Sequence, residues 1–289
     1  MLKWIRGTPR AVARLGDGIT WMLLAIPFVA LVAQTPWRHF RLAYGDWDAV
    51  AVSLGLSCLS MAIVVALGTR VALWLATTRS RMARVAEVLV LVALMTPPLA
   101  MGILLASAYG PVGTFGSLLS RAGILLGNNA PAFVLSQVYG GLPYFILAAR
   151  AAFEAVPPVL PMAASTLGAT PWRVFRHVTL PLARGGLTTG LVIAWVRVIG
   201  EFGIVMIFAY FPQGIPVKLY VNLQNDGLGA VYALLWLLLV VALPLPIVVL
   251  MRARRSHRRT TGEPLARMTR CTEHARRPSI PSPENHFKC

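Results

Sequence analysis

Six stretches of the chain are continuously apolar over lengths that suit a lipid bilayer rather than a water-soluble core. They run 18–36, 49–69, 88–109, 131–149, 186–211 and 228–251. Each has about the 20 residues that a helix needs to cross roughly 30 Å of hydrocarbon. None alternates apolar and polar residues in the short segments that barrel strands require. A composition of 57% hydrophobic and only 13% charged residues points the same way. The sequence therefore predicts an all-α integral membrane protein with six transmembrane helices, and no soluble fold class fits it.

The formal charge of +17 would ordinarily raise the question of nucleic acid. Here the basic residues alternate from gap to gap instead. Lys3, Arg6, Arg10 and Arg14 precede the first run; Arg38 and Arg41 in the next gap are offset by Asp46 and Asp48; then come Arg70, Arg79, Arg81 and Arg84. Arg121 stands alone after the third run, Arg150, Arg173, Arg176 and Arg184 follow the fourth, and Lys218 faces Asp226 after the fifth. Positive charge collects on the cytoplasmic side, so both ends are expected there. No aromatic residues interleave the arginines of the tail, and no nucleic-acid partner is expected. Residues 1–17 read as a basic cytoplasmic segment, 18–251 as the membrane domain and 252–289 as a disordered basic tail. The first run is too long for a secretory signal and lacks an obvious small-residue cleavage site, so it is expected to remain as a helix. Cys58, Cys271 and Cys289 form no redox or zinc spacing.

One cytoplasmic gap is long and patterned. In 150–185, Pro157, Pro158 and Pro161 should end the fourth helix, Met162 to Leu167 should form a short helix, and Gly168 should turn the chain. Pro171 suits the first position of a second short helix, which Leu180 and Pro181 are expected to stop. Two short helices joined by glycine outside the bilayer make a docking knob with Trp172, Arg173, Phe175, Arg176 and His177 available on it. Interfacial anchoring in lipid headgroups would explain this composition, but not the Gly and Leu-Pro spacing.

That spacing is similar to the cytoplasmic signature of the permease subunits of binding-protein-dependent ABC importers: Glu-Ala-Ala, three residues, Gly, nine residues, Ile-x-Leu-Pro. The chain reads Met162-Ala163-Ala164, Gly168, then Val178-Thr179-Leu180-Pro181, with Met162 standing where the signature often has Glu. The resemblance covers about 49–251. It implies that residues 154–184 dock into a groove of a separate ATP-hydrolysing subunit, and that the chain pairs with a second copy or a sister permease. It also implies delivery of solute by an extracytoplasmic binding protein, and a place in the bacterial cytoplasmic membrane. The chain is then no enzyme and is expected to bind no cofactor or metal, the ATP being used by the partner. Consistent with this, Lys3, Lys218 and Lys288 are the only lysines and none follows a glycine, so no phosphate-binding loop exists here.

Inside the fifth run lie two charges, Arg197 and Glu201, at positions that cost about 2.5 to 3.5 kcal/mol at a helix centre. Spaced i, i+4, they can pair, either as a structural contact or along a transport path. The segment Gly200-Glu201-Phe202-Gly203, followed by Pro212-Gln213-Gly214, resembles the permeases for molybdate, tungstate and sulfate, which makes a tetrahedral oxyanion the expected solute. A polyamine, iron or phosphonate permease is the alternative. Pro97-Pro98, Gly140 to Pro143 and Pro244 to Pro246 should interrupt the third, fourth and sixth helices at membrane depth, by simple kinks or along a pathway.

Two other function classes fit less well. A membrane redox enzyme needs ligands within the spans, yet His39, His177, His257, His274 and His286 all fall in gaps or tails. An ion-coupled secondary transporter would use titratable residues at the midplane, where only Arg197 and Glu201 stand, and it leaves the docking loop unexplained.

Overall fold

The computed structural model describes residues 10–249 and 251–252; the extreme amino-terminal segment and most of the basic tail lie outside the described residues. All regular structure among the described residues is helical. Residues up to 243 form one compact unit; the helical turn 244–249 belongs to a second and is described by itself.

α1 (Arg10–Gln34) crosses with little burial and ends where Thr35 donates to the Leu31 carbonyl at 2.6 Å. α2 (Asp46–Thr77) starts at Gly45, which adopts φ +80°. Asp46 and Asp48 sit in its first turn, where carboxylates complement the helix dipole. α2 ends at Thr77 rather than at 69: its 32 residues span about 48 Å, longer than the hydrocarbon is thick, so Arg70 lies on the helix and not in a loop.

The third run is not one straight helix. α3 (Arg81–Met95), capped by Ser80 accepting from the Ala83 amide at 3.1 Å, meets α4 (Pro98–Tyr109) at a bend of 116°. Two consecutive prolines remove two amide donors, and Thr96 before them is driven to extended backbone at ψ 123°. Among the described residues five helices are thus long and apolar enough to span a membrane, and six if this bent pair is one span.

After the short α5 (Gly116–Arg121), α6 (Ala130–Glu154) opens with Asn129 accepting from the Ala132 amide at 3.0 Å. The expected interruption at Gly140 to Pro143 does not occur: α6 is continuous through Pro143. Proline costs the turn one hydrogen bond, but helices packed on both sides hold it in place. α6 is the axis of the fold: 67% of its apolar stretch is buried against 6% for α1, and its broadest contacts are with α2 and α9.

α7 (Val159–Thr166) is followed by α8 (Pro171–Val174), a π turn (Phe175–Thr179) and α9 (Leu180–Ile199). This corrects the expected stop at Leu180-Pro181, because residues Pro171–Ile199 form one helical rod of 29 residues. A proline ring collides with the carbonyl four residues earlier; the wider π turn just before Pro181 relieves that collision and lets the helix pass. The first short helix also starts earlier than expected, with Pro161 inside it rather than before it.

In lipid the hydrophobic effect does little to hold helices together, so close packing must. α9 carries Gly186, Gly190 and Ala194 on one stripe against α6. A Cβ on Gly186 would meet Ala152 Cβ at 2.5 Å, one on Gly190 would meet Ala148 Cβ at 2.9 Å, and one on Gly141 would meet Val198 Cγ2 at 2.5 Å. α10 (Gly203–Phe208) packs on α4, α11 (Ile215–Asp226) follows, and α12 (Leu228–Ala242) ties back to α1 through Trp236 Nε1 to Thr35 Oγ1 at 3.0 Å.

Candidate functional site

The segment expected to dock is turned by a glycine. At the end of α7 the Gly168 amide donates to the Ser165 carbonyl at 3.0 Å, and the Ala169 amide donates to the Ala164 carbonyl at 3.1 Å. This pair of bonds is a Schellman closure, and it needs a left-handed residue at its corner. Gly168 supplies it at φ +82°. A Cβ there would meet nothing within 4 Å, so the chain itself leaves open space around the turn.

Met162 on α7, Leu167 just after it and Trp172 on α8 are all exposed, and Ala163 is exposed beside a half-buried Ala164. Val174 is buried and Phe175 packs at a tilt against Phe153 of α6 with ring centroids 6.3 Å apart, which anchors the segment. Val178 falls in the π turn, and Leu180 and Pro181 open α9. The motif residues therefore lie on two adjoining helices, with the Leu-Pro end part of a continuous rod. Arg150, expected in the loop, lies on α6 instead, and its Nη1 reaches Glu87 of α3 at 2.6 Å while Nε donates to Glu154 at 2.8 Å.

Arg197 and Glu201 are brought together as their spacing anticipates, but not on one continuous helix. α9 stops at Gly200, and Glu201 lies in the break before α10. Glu201 Oε1 accepts from the Ile204 amide at 2.9 Å, which satisfies one of the free donors opening α10. Its Oε2 meets Arg197 Nη1 at 2.6 Å, a charge contact that falls short of hydrogen-bond alignment. The Glu201 side chain is completely buried, whereas that of Arg197 is 25% exposed. The Tyr144 ring lies 5.7 Å from the guanidinium carbon, within cation–π range. A cavity of about 120 Å³ opens beside Arg197 and is walled by the Thr96–Pro98 bend, α6 and the start of α10.

A polar network behind this break was not anticipated from the sequence. Where α9 ends, the Val198 carbonyl accepts from Gln137 Nε2 at 3.2 Å; the same nitrogen donates to Ser57 at 2.7 Å, and Ser60 donates to Gln137 Oε1 at 2.9 Å. Ser53 accepts from the Ile215 amide at 2.7 Å. Ser53, Ser57 and Ser60 form a stripe at i, i+4, i+7 along α2, a polar face within an apolar helix that periodicity makes visible. Asp46, noted only as an offsetting charge, is fully buried and accepts from Asn222 Nδ2 at 2.9 Å and from the Ala43 amide at 2.8 Å. Gly203 marks a close approach of α10 to α4, since a Cβ there would meet Pro98 Cβ at 2.8 Å.

Residues 65–260 match the family described as binding-protein-dependent transport system inner membrane component. The chain is 34% identical over 229 residues to the molybdenum transport system permease protein ModB of Mycobacterium bovis, covering 77% of this chain and 87% of that one. It is 33% identical over 250 residues to a probable molybdenum ABC transporter permease protein of Haloferax volcanii, covering 82% and 90%. Among solved structures, a bacterial alginate ABC transporter in complex with alginate pentasaccharide-bound periplasmic protein aligns with a TM-score of 0.64 at 21% identity, covering 86% of this chain and 94% of that one. The MetNI methionine ABC transporter aligns with a TM-score of 0.57 at 19% identity over 72% and 94%. These structures share the fold. With its spanning helices and the matched region covering most of the membrane domain, the chain belongs to the binding-protein-dependent transport system inner membrane components, the permeases of ABC importers.

Proposed function

We propose that this permease forms the membrane path of an importer for a tetrahedral oxyanion of the molybdate type. The observation that carries this reading is the identity of about a third, over most of both chains, to permeases named for molybdenum transport. The segment Gly200 to Gly203 adds to it, because its carboxylate is spent on Arg197 and on the Ile204 amide and leaves a guanidinium facing a cavity.

In this reading two ATPase subunits receive the segment 154–184 of two permease copies, or of this chain and a sister permease. Met162, Leu167 and Trp172 supply apolar contact, and the turn at Gly168 fits a groove that tolerates no side chain. A solute-binding protein delivers the anion from outside. The chain itself holds no cofactor; the ATPase partners bind and spend the ATP. Both termini lie in the cytoplasm, as the positive-inside rule demands if α3 and α4 together make one span.

Uptake of radiolabelled molybdate, measured in cells expressing the permease with its ATPase and binding protein, tests the solute. Saturable uptake, lost on deleting the permease and inhibited by tungstate or sulfate, is expected; uptake indifferent to the permease ends the reading. Cysteine labelling tests the topology. Positions 45 and 116 should react from outside and position 169 only from inside; if 116 reacted from inside, α3 and α4 would be a re-entrant hairpin and the ends would lie on opposite sides.

A further inference from the structure

Two helix breaks, the 116° bend at Thr96-Pro97 and the gap between α9 and α10, meet at one small cavity. The ion pair beside it is lopsided. Glu201 is completely buried, forms no part of the cavity wall, and has both carboxylate oxygens engaged. Arg197 does line the cavity and keeps a quarter of its side chain exposed. A guanidinium has five N–H donors, and among the described residues one nitrogen meets Glu201 while no other protein oxygen accepts from the rest. Tyr144 covers one face of the group at 5.7 Å and limits how it can turn. Thr96 and Tyr139 line the same wall; the Thr96 hydroxyl donates to the Val92 carbonyl at 2.7 Å, and that of Tyr139 shares a 3.1 Å hydrogen bond with Tyr109.

We infer that this cavity is an oxyanion way-station in the membrane, with Arg197 as the anion-binding side chain and Glu201 as a buried positioning residue that never meets the solute. A guanidinium edge offers parallel donors that match two oxygens of a tetrahedral oxyanion, and the Tyr139 hydroxyl, paired with Tyr109, suits a third. The neighbouring carboxylate leaves the local charge near neutral, so the anion is held weakly enough to leave again, as conduction requires. The inference rests on the oxyanion reading above and deepens it by assigning separate roles to the two charges.

The test uses the assembled transporter with its binding protein and molybdate as probe. Arg197→Gln should leave the amount of complex near normal and cut uptake at least tenfold. Arg197→Lys, which keeps the charge but loses the fork, should recover part of the rate with a raised half-saturating concentration. Glu201→Gln should lose less than Arg197→Gln, and the double variant should match Arg197→Gln alone. Separately, modification of Arg197 in the wild-type complex by an arginine-specific dicarbonyl, read by mass spectrometry, should be slowed by molybdate or sulfate and not by glycerol. Full uptake by an assembled Arg197→Gln complex overturns the inference. So does recovery of uptake in the double variant, which would make the pair purely structural, or equal modification with and without molybdate. If Arg197→Gln does not assemble, the protection measurement alone decides. Wild-type transporter that carries no oxyanion at all would overturn the functional reading itself, a result distinct from a molybdate carrier indifferent to position 197.

Discussion

The two ends of the rod Pro171–Ile199 were written under opposite constraints. At its amino-terminal end and on the turn leading into it the side chains face away from the protein: Met162, Leu167 and Trp172 stand exposed around a glycine turn with nothing near it. At its other end almost every group has an intramolecular partner, from the Val198 carbonyl on Gln137 to Glu201 between Arg197 and Ile204. On the proposed function, residue choice at the first end reports on a molecule outside the chain, and at the second end on neighbours inside it. Damage at the two ends should therefore look different: lost association with an intact permease at the first, and lost permease at the second wherever the damaged group is fully enclosed, which the half-open Arg197 is not.

The strongest test of that contrast is Gly141→Leu. The first carbon of the new side chain would already lie 2.5 Å from Val198 Cγ2, and the rest of a leucine has nowhere to go between α6 and α9. Overpacking of this kind costs about 1–3 kcal/mol or more. Folded permease recovered from membranes should fall nearly to zero; normal recovery would mean that the helices are not in close contact there. Next in size is Gly168→Asp. A left-handed aspartate costs the chain only about 1–2 kcal/mol, so permease levels should stay close to wild type. Co-purification of the ATPase and solute uptake should nonetheless be abolished, and retention of both would break the contrast at its exposed end. Gln137→Leu should be milder: it removes the side chain that bridges Ser57, Ser60 and the Val198 carbonyl, of which Val198 keeps the Glu201 amide and Ser60 the Leu56 carbonyl, at roughly 1–3 kcal/mol, seen as an earlier thermal unfolding transition in detergent. The smallest effect is expected for Met162→Ala, whose side chain is 66% exposed. Stability should change by less than about 0.5 kcal/mol, with any loss confined to ATPase affinity.

The exposed end was the more legible in the sequence, since its pattern is one of spacing along the chain and spacing is what a sequence displays. The motif from Met162 to Pro181 announced the first short helix, its glycine turn and the helix start at Pro171, though not that this second helix runs on through Pro181. The buried end yielded the pairing of Arg197 with Glu201 from their separation alone, but not the helix break between them. Nor did it yield Gln137, whose partners come from two other helices and share no local pattern with it. Prolines were the main source of error. Pro97-Pro98 does break its helix, Pro143 does not, and Pro181 is carried through on a π turn. The ring is identical each time; what differs is whether the preceding turn can widen or is clamped by neighbouring helices. One available signal went unread: Gly186-Leu187-Thr188-Thr189-Gly190 has the four-residue period of small residues that lets two membrane helices touch, and it sits where α9 meets α6.

Mechanically, the absence of a stop at Pro181 turns a loop into a lever. A continuous helix of 29 residues measures about 44 Å, and a tilt of about 5° about one end displaces the other by about 4 Å. Motion imposed on the exposed end at Pro171 is therefore delivered to Arg197 by the backbone itself, without a chain of side-chain rearrangements between them. Along the shaft the bonding departs from the α ladder at the π turn, close to the end that would be pushed. In the proposed importer, force and solute would thus act at opposite tips of one beam, and its stiffness would bear on how far the cavity opens.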